Sequence, residues 1–164
     1  MQAFLTGHRN IDRTRKRDIK RLIEAALYQY DIDRVYCGMA RGFDLVAADV
    51  LQNLGIKVFA VLPCRPQFQC YKWTKDDKDY YNKVLNLCTN KVVLTDKYYD
   101  GCLNQRNLWM IARSQVCISC YDGRKSGGTY HAINHSRHLD RINFDPVLKQ
   151  ISLIERAYVQ LNLF

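Results

Sequence analysis

The stretch Val116-Cys-Ile-Ser-Cys-Tyr-Asp-Gly-Arg-Lys-Ser-Gly-Gly-Thr129 joins a largely apolar run to a glycine-rich turn and then to a segment expected to be helical. An apolar run of this length is typical of a strand that is buried on both faces of a sheet. Such strands occur in parallel sheets, where a helix usually connects one strand to the next. The stretch therefore predicts a strand and the crossover helix of an α/β fold.

The same alternation runs through the rest of the chain. Short apolar segments predict further strands at residues 2–5, 35–37, 58–62, 92–94 and 142–144. Between them, apolar residues recur at three- and four-residue steps, which predicts helices at 19–30, 43–54, 81–88, 103–113 and 129–139. We expect a single α/β domain over residues 1–164, with a Rossmann-like, doubly wound and mostly parallel sheet that carries helices on both faces.

Two segments lie outside this alternation. A C-terminal helix is expected over about residues 147–162. It carries an apolar stripe, which would be buried either by packing on the domain or by a contact between copies of the chain. The stripe consists of Val147, Ile151, Ile154, Tyr158 and Leu161. The segment 64–76 is long for a strand-to-helix connection, so it is expected to form a lid or an oligomer contact.

The composition is that of an ordinary globular protein. The 164 residues are 48% hydrophobic and 25% charged, which speaks against disorder. No apolar run approaches the roughly 20 residues of a membrane span, and residues 1–7 lack the pattern of a secretion signal, so we expect no membrane partner. The seven cysteines are odd in number and several lie in apolar runs, which favours buried free thiols and a cytoplasmic location.

Positive charge is the main compositional bias. The net charge is +9, and the segment 9–21 holds seven Lys or Arg residues against two Asp residues. This bias is compatible with a nucleic-acid partner, with a small anionic ligand, or with a solvated helix face.

Loop one follows the first predicted strand and reads Thr6-Gly7-His8-Arg9. Its glycine allows the backbone to approach a ligand closely, and its arginine can pair with a phosphate through two hydrogen bonds.

Loop two follows the second predicted strand and contains Gly38, Ala40, Arg41, Gly42 and Asp44. Its two glycines flank a small residue, and its arginine supplies a second cation. The aspartate is expected to cap the following helix, and a contact with a ribose hydroxyl is the alternative.

Loop three follows the strand at 116–120 and supplies Asp122, Gly123, Ser126, Gly127, Gly128 and Thr129. Two backbone N–H groups and a hydroxyl at the start of the helix could surround one phosphate. Arg106 and Asn107, near the start of the preceding predicted helix, could reach the same cleft. All these loops are expected at the carboxyl ends of the strands, where doubly wound sheets bind ligands.

Known phosphate motifs do not explain these loops. The P-loop requires a lysine after its last glycine, whereas Thr129 stands there, and the dinucleotide fingerprint is absent after the first predicted strand.

Three histidines, His131, His135 and His138, share one side of a predicted helix, so a zinc site is an alternative interpretation. A solvated basic face fits them better, because no carboxylate or cysteine is close in sequence, so we predict no metal and no cofactor.

Taken together, the motifs Thr6–Arg9, Gly38–Asp44, Arg106–Met110 and Tyr121–Thr129 resemble the SLOG superfamily, and more closely its YpsA-like branch of uncharacterised function. The resemblance covers about residues 3–135 and depends on the order and spacing of the motifs. It implies a Rossmann-like fold with a pocket for a nucleotide or a nucleotide-derived ligand.

Two more distant relatives imply different activities. Loop two is similar to the corresponding loop of DNA-processing protein A, which binds single-stranded DNA. Loop three is similar to that of the lonely-guy phosphoribohydrolases, which cleave the N-glycosidic bond of nucleoside monophosphates. Those hydrolases carry acidic residues after the glycine-rich motif, whereas here Thr129 is followed by Tyr130-His131-Ala132. The chain lacks the group expected to stabilise an oxocarbenium ion or to activate water.

The leading hypothesis is therefore a sensor, carrier or sequestering protein for a nucleotide-derived small molecule rather than an enzyme, with no catalytic residue assigned. A nucleoside-phosphate N-glycosidase is the first alternative. Binding of single-stranded nucleic acid is the second, because basic residues of the segment 9–21 and several aromatic side chains could contact phosphates and stack on bases. The aromatic side chains are Tyr71, Trp73, Tyr80 and Tyr81. A homo-oligomer is a further expectation.

Overall fold

Apolar β-strands alternate with amphipathic helices in the computed structural model of the chain, which describes residues 1–157. The strands are β1 Gln2–Gly7, β2 Arg34–Cys37, β3 Lys57–Leu62, β4 Asn90–Val93, β5 Val116–Cys120, β6 Asp140–Asp145 and β7 Gln150–Ile154. The helices are α1 Lys16–Gln29, α2 Phe43–Asn53, α3 Pro66–Gln69, α4 Lys75–Asn86, α5 Cys102–Ile111 and α6 Gly127–His135.

The strands form one sheet in the order β4-β3-β2-β1-β5-β6-β7. Every neighbouring pair from β4 to β6 is parallel, and β7 is antiparallel to β6. The chain builds the sheet outward from β1 in one direction and then outward from β5 in the other. The order therefore reverses between β1 and β5, which makes their carboxyl ends the topological switch point. This arrangement confirms the predicted Rossmann-like, doubly wound fold.

Hydrophobic cores lie on both faces of the sheet. In β5, Val116, Ile118 and Cys120 join the core under α1, α2 and α4, whereas Cys117 joins the core under α5 and α6. Because Cys117 and Cys120 face opposite sides of the strand, they do not converge as a redox or zinc pair. All seven cysteines lie in the described part of the chain, and each is a free thiol.

The predicted C-terminal helix is wrong over its described part. The Asp145 side chain accepts hydrogen bonds from the N–H groups of Val147 and Leu148, and the chain turns back through Lys149 with a φ of 54°. It then pairs with β6 as β7, whose Ile151 and Leu153 are exposed. The turn and the pairing available at the edge of β6 override the helical spacing, and β-branched residues favour the strand.

The remainder of that predicted stripe, Tyr158 and Leu161, lies outside the described residues. The helix predicted at 129–139 begins two residues earlier and ends at His135. The short helix α3 was not predicted.

None of the helices between residues 1 and 157 combines the length and the apolar character that a membrane span needs.

Candidate functional site

A cavity of about 690 Å³ opens at the carboxyl ends of β1 and β5. The loops after β1, β2 and β5 and the first turns of α5 and α6 form its walls. The structure brings twelve of the predicted site residues to this cavity, which we call the cleft: Thr6, Gly7, His8, Arg9, Ala40, Asp44, Arg106, Asn107, Ser126, Gly127, Gly128 and Thr129.

The other predicted site residues lie behind or beside the cleft. The Gly38 carbonyl accepts a hydrogen bond from Arg106 Nη1, and Asp122 contacts His8. Arg41 lines two smaller neighbouring pockets, where Nη1 is 3.7 Å from Asp77 Oδ2. Gly42 and Gly123 both have a positive φ and do not line the cleft.

Some lining residues were not among the predicted site residues. They come mainly from the connection between β4 and α5 and from the first turn of α5, and are Asn10, Tyr98, Asp100, Gly101, Leu103, Asn104 and Arg124, together with Leu5 of β1. The only sequence signal in this connection is Gly101, which adopts φ +92° at the N-terminus of α5. A glycine that opens a helix after a strand repeats the pattern of loops two and three, so this signal was available.

Glycine is required where loops one and two touch. Gly42 has φ +91°, and a Cβ atom there would clash with the Arg9 carbonyl oxygen. A Cβ atom on Gly7 would clash with the buried Phe43 ring. The Phe43 N–H donates to the His8 carbonyl at 3.2 Å, which joins the start of α2 to loop one. The close contact fixes the positions of two cleft walls relative to each other.

The N-terminus of α6 presents backbone donors to the cleft. Gly127, Gly128 and Thr129 form its first turn, in which N–H groups have no intrahelical acceptor. Ser126 precedes them at the N-cap position, and its side chain makes no capping hydrogen bond. A Cβ atom on Gly128 would meet nothing within 4 Å, and all three residues line the cleft. This geometry suits an anion.

Two buried charges, Asp44 and Arg106, form the floor of the cleft. Each is only 5% exposed. Arg106 Nε donates to Asn107 Oδ1 at 3.0 Å, and Asp44 Oδ2 accepts from the Ala40 N–H at 3.2 Å. Asp44 is therefore not the helix cap that was predicted. Gly42 occupies the N-cap position, and the carboxylate instead closes loop two.

Asp44 titrates unusually, and this gives a testable pH dependence. Burial raises the pKa of its carboxyl from 3.8 to about 6, although Arg106 and the Ala40 N–H oppose the shift. The folded state therefore holds this proton more tightly than the unfolded chain does, and its contribution to stability is lost as pH rises from about 4 to above 6.

We expect the Asp44→Asn variant to gain stability over the wild type as pH rises. The difference in unfolding free energy should grow by about 3 kcal/mol between pH 4 and pH 8, because each pKa unit corresponds to about 1.4 kcal/mol. Urea denaturation of both proteins across this range measures the difference. A difference that is independent of pH would show that the carboxyl titrates normally.

His8 lies between loops one and three. Burial lowers the pKa of its imidazole, although Asp122 opposes that shift. Nε2 lies 3.2 Å from the Asp122 backbone nitrogen and 3.0 Å from Asp122 Oδ1, so Asp122 holds this edge of the ring in place. Nδ1 makes no hydrogen bond with any described residue and is available to a ligand. Hydrogen bonds from Arg124 hold the pKa of Asp122 well below its usual range.

Arg9 supplies a cation that the protein does not neutralise. Its side chain is exposed and makes no hydrogen bond or ion pair within residues 1–157, and it lines the cleft and both smaller pockets. An unpaired guanidinium beside open helix N–H groups matches the chemistry of phosphate recognition.

The histidines of α6 do not form a metal site with other side chains. The rings of His131 and His135 stack with their centroids 4.1 Å apart, and His135 Nδ1 lies 2.8 Å from the His131 carbonyl oxygen. No three His, Cys, Asp or Glu side chains of the described chain are grouped as metal ligands would be.

No protein-family model matches the chain, and no curated protein matches it in sequence. Solved structures do match its fold. DNA processing protein A from Streptococcus pneumoniae superposes with a TM-score of 0.63 at 15% identity, over 87% of this chain and 49% of that one.

Two further structures have the same fold. DNA processing protein A from Helicobacter pylori, whose structure describes a single-stranded DNA binding mode, has a TM-score of 0.57 at 16% identity, over 84% of this chain and 60% of that one. The structural-genomics target TM1055 has a TM-score of 0.53 at 12% identity, over 83% of this chain and 68% of that one. The chain thus spans only about half the length of the first protein. At these identities the likeness shows a shared Rossmann-like fold.

Proposed function

We propose that this protein binds a nucleotide or a nucleotide-derived, phosphate-containing small molecule in the cleft. The observation that carries the proposal is the convergence of three strand-to-helix loops on one cavity that is lined by open helix N–H groups and by three arginines, Arg9, Arg106 and Arg124. The resemblance of these loops to the SLOG superfamily supports it, and we assign the chain to the YpsA-like branch as part of the same proposal. A cytoplasmic location remains a prediction from the cysteines.

The phosphate is placed at the N-terminus of α6. The N–H groups of Gly127 and Gly128, the Thr129 hydroxyl and the guanidinium of Arg9 belong to residues that line the cleft and would bind it there. Arg106 adds a buried positive charge at the floor of the cleft. The surrounding protein is less polarisable than water, which strengthens the attraction of this charge for an anion. Such a site binds through charge-assisted hydrogen bonds, which are the stronger kind.

The remaining space accommodates the nucleoside. A volume of about 690 Å³ lies within the usual range for small-molecule sites. The side chains of Asp44, Asn104 and Asn107 line it and can bond sugar hydroxyls or the edges of a base. Nδ1 of His8 provides one more polar atom for the ligand.

Single-stranded nucleic acid is the second candidate ligand. The fold is shared with DNA processing protein A, of which the Helicobacter pylori structure describes single-stranded DNA binding. The net charge of +9 also favours a polyanion. Binding of this kind weakens steeply with salt, so affinity measured at two salt concentrations separates it from the binding of a small ligand.

The proposal is tested by titration calorimetry with AMP, ADP, cyclic AMP, ADP-ribose and a 12-nucleotide DNA strand. We expect at least one mononucleotide or nucleotide derivative to bind, and Arg9→Ala to weaken its binding about tenfold, because one charge-assisted contact is lost. The control is Arg21→Ala, which removes an exposed arginine of α1 that does not line the cleft. Failure of every small ligand to bind contradicts the proposal. Release of free base, detected by chromatography of the same mixtures, would instead support the hydrolase.

A further inference from the structure

We propose that the cleft continues into a side pocket that receives a second ring of the ligand, so that the preferred ligand carries two ring systems joined through phosphate. This inference rests on the proposed function and specifies the class of ligand. The side pocket has a volume of about 140 Å³ and is lined by Arg9, Ala40, Arg41, Gln69, Trp73, Tyr98 and Leu103.

The side pocket is continuous with the cleft. Arg9, Ala40, Tyr98 and Leu103 line both cavities. Its volume is far below that of a site for a whole small molecule, so it can hold only one part of a ligand whose remainder occupies the cleft. The side pocket suits a ring, because two of the residues that line it, Trp73 and Tyr98, are aromatic.

Trp73 forms a fixed aromatic wall. Its ring packs edge-on against Tyr81 with centroids 5.5 Å apart, and it is half-buried against the main core. Its indole N–H makes no hydrogen bond with any residue between 1 and 157, so this donor is available to a ligand. Tyr98 lines the same pocket and is 53% exposed. No ring contact joins Trp73 and Tyr98 in the described chain, so each ring is available to a flat group of the ligand.

The wall that carries Trp73 is anchored before any ligand binds. Gln69 Nε2 donates to the carbonyl oxygens of Gly38 at 3.0 Å and Met39 at 3.2 Å, and its Oε1 accepts from the Tyr81 hydroxyl at 3.1 Å. These bonds tie the segment 64–76, expected to be a lid or an oligomer contact, to loop two. A preformed wall lowers the entropy lost on binding.

The positive charge between the cleft and the side pocket supports a phosphate linkage between the two rings of the ligand. Arg9 stands where the two cavities meet and has no partner in the described chain, so it can contact a phosphate that bridges them. Arg41 lines the side pocket but not the cleft, and its charge is partly neutralised by Asp77, whose Oδ2 lies 3.7 Å from Arg41 Nη1. An unpaired guanidinium therefore lies where the cleft and the side pocket meet, and a dinucleotide-like ligand carries its negative charge in the corresponding middle position.

Fluorescence tests the proposal directly, because the chain has only two tryptophans, Trp73 and Trp109. Trp109 belongs to the other face of the sheet, where Arg113 and Tyr36 pack on it. In the Trp109→Phe variant all tryptophan emission comes from Trp73. We expect diadenosine diphosphate to change this emission on binding and ADP, which has the same two phosphates and one ring system fewer, to leave it nearly unchanged.

Affinities give a second readout. Wild-type protein should bind diadenosine diphosphate about tenfold more tightly than ADP, since stacking of one base on an aromatic side chain is worth roughly that factor or more. Tyr98→Ala should remove most of this advantage. Tyr71→Ala is the matched control, because Tyr71 is a 75% exposed tyrosine of the segment 64–76 that does not line the pocket.

The outcomes separate the two proposals. Equal affinities for the two ligands, with no change in Trp73 emission, overturn the second-ring inference and leave the proposed function standing. Absence of binding by both ligands overturns the second-ring inference, and it overturns the proposed function as well if AMP, cyclic AMP and ADP-ribose also fail to bind. Tighter binding of a DNA strand than of diadenosine diphosphate, with steep salt dependence, also overturns the inference and favours the nucleic-acid alternative.

Discussion

The Gly128→Asp variant is expected to bind ADP at least about 100-fold more weakly than the wild type while remaining as stable. A carboxylate at this position would lie on the first turn of α6, where the N–H groups that we assign to the phosphate are open. It would compete for these donors and repel the ligand. Two like charges about 4 Å apart near a protein surface interact by roughly 4 kcal/mol, which exceeds the free-energy equivalent of that loss in affinity.

The fold should tolerate this substitution. Gly128 does not have a positive φ, and a Cβ atom there would meet nothing within 4 Å. A negative charge in the first turn also interacts favourably with the helix dipole, by about 0.3–1 kcal/mol. Thermal unfolding without ligand should therefore show an unchanged or slightly higher midpoint.

Gly128→Ala is the control for Gly128→Asp, because it adds the Cβ atom without the charge. We expect its affinity for ADP to stay within about threefold of that of the wild type, since the added methyl group faces open space. If titration calorimetry shows that Gly128→Asp binds ADP normally, the phosphate does not sit at α6 and the proposed placement is wrong.

Much of the fold follows from the sequence because its signals are local and repeated. Parallel strands buried on both faces must be almost continuously apolar, and their connecting helices must carry an apolar stripe. Loops that follow such strands share one edge of the sheet, so their location at that edge could be inferred before any coordinates, whereas the strand order that brings them together at β1 and β5 could not. Arg106 could be linked to the same edge, because it lies near the start of a helix that begins there.

The rest depends on features that have no periodic signal. The hairpin from β6 to β7 is set by one aspartate side chain and a turn, and its apolar residues fit a helical spacing equally well. The direction of a loop side chain depends on the backbone angles of the turn, so the sequence could not show that Arg9 faces the cleft while Arg41 lines smaller pockets beside it. Tyr98 belongs to a connection with no motif, and only the structure shows its place in the wall.

The Arg106→Met variant is expected to lose about 3 kcal/mol of stability at pH 7.5. Arg106 is only 5% exposed, and its positive charge lowers the cost of ionising the buried carboxyl of Asp44. Removing one of two nearby buried charges leaves the other uncompensated, which costs about 3–5 kcal/mol. The lower figure applies here, because Gln69 still donates to the Gly38 carbonyl after Arg106 is removed. Urea denaturation measures the loss.

Combining Arg106→Met with Asp44→Asn separates stability from binding. The amide removes the uncompensated charge, so the double variant should recover most of the lost stability at pH 7.5. Its affinity for ADP should nevertheless remain about 100-fold below that of Asp44→Asn alone, since the loss of a desolvated charge contact costs about 2–5 kcal/mol. If the double variant binds ADP as tightly as Asp44→Asn, the buried guanidinium does not serve the ligand. Arg106 would then be needed only to hold loop two in place, through the Gly38 carbonyl.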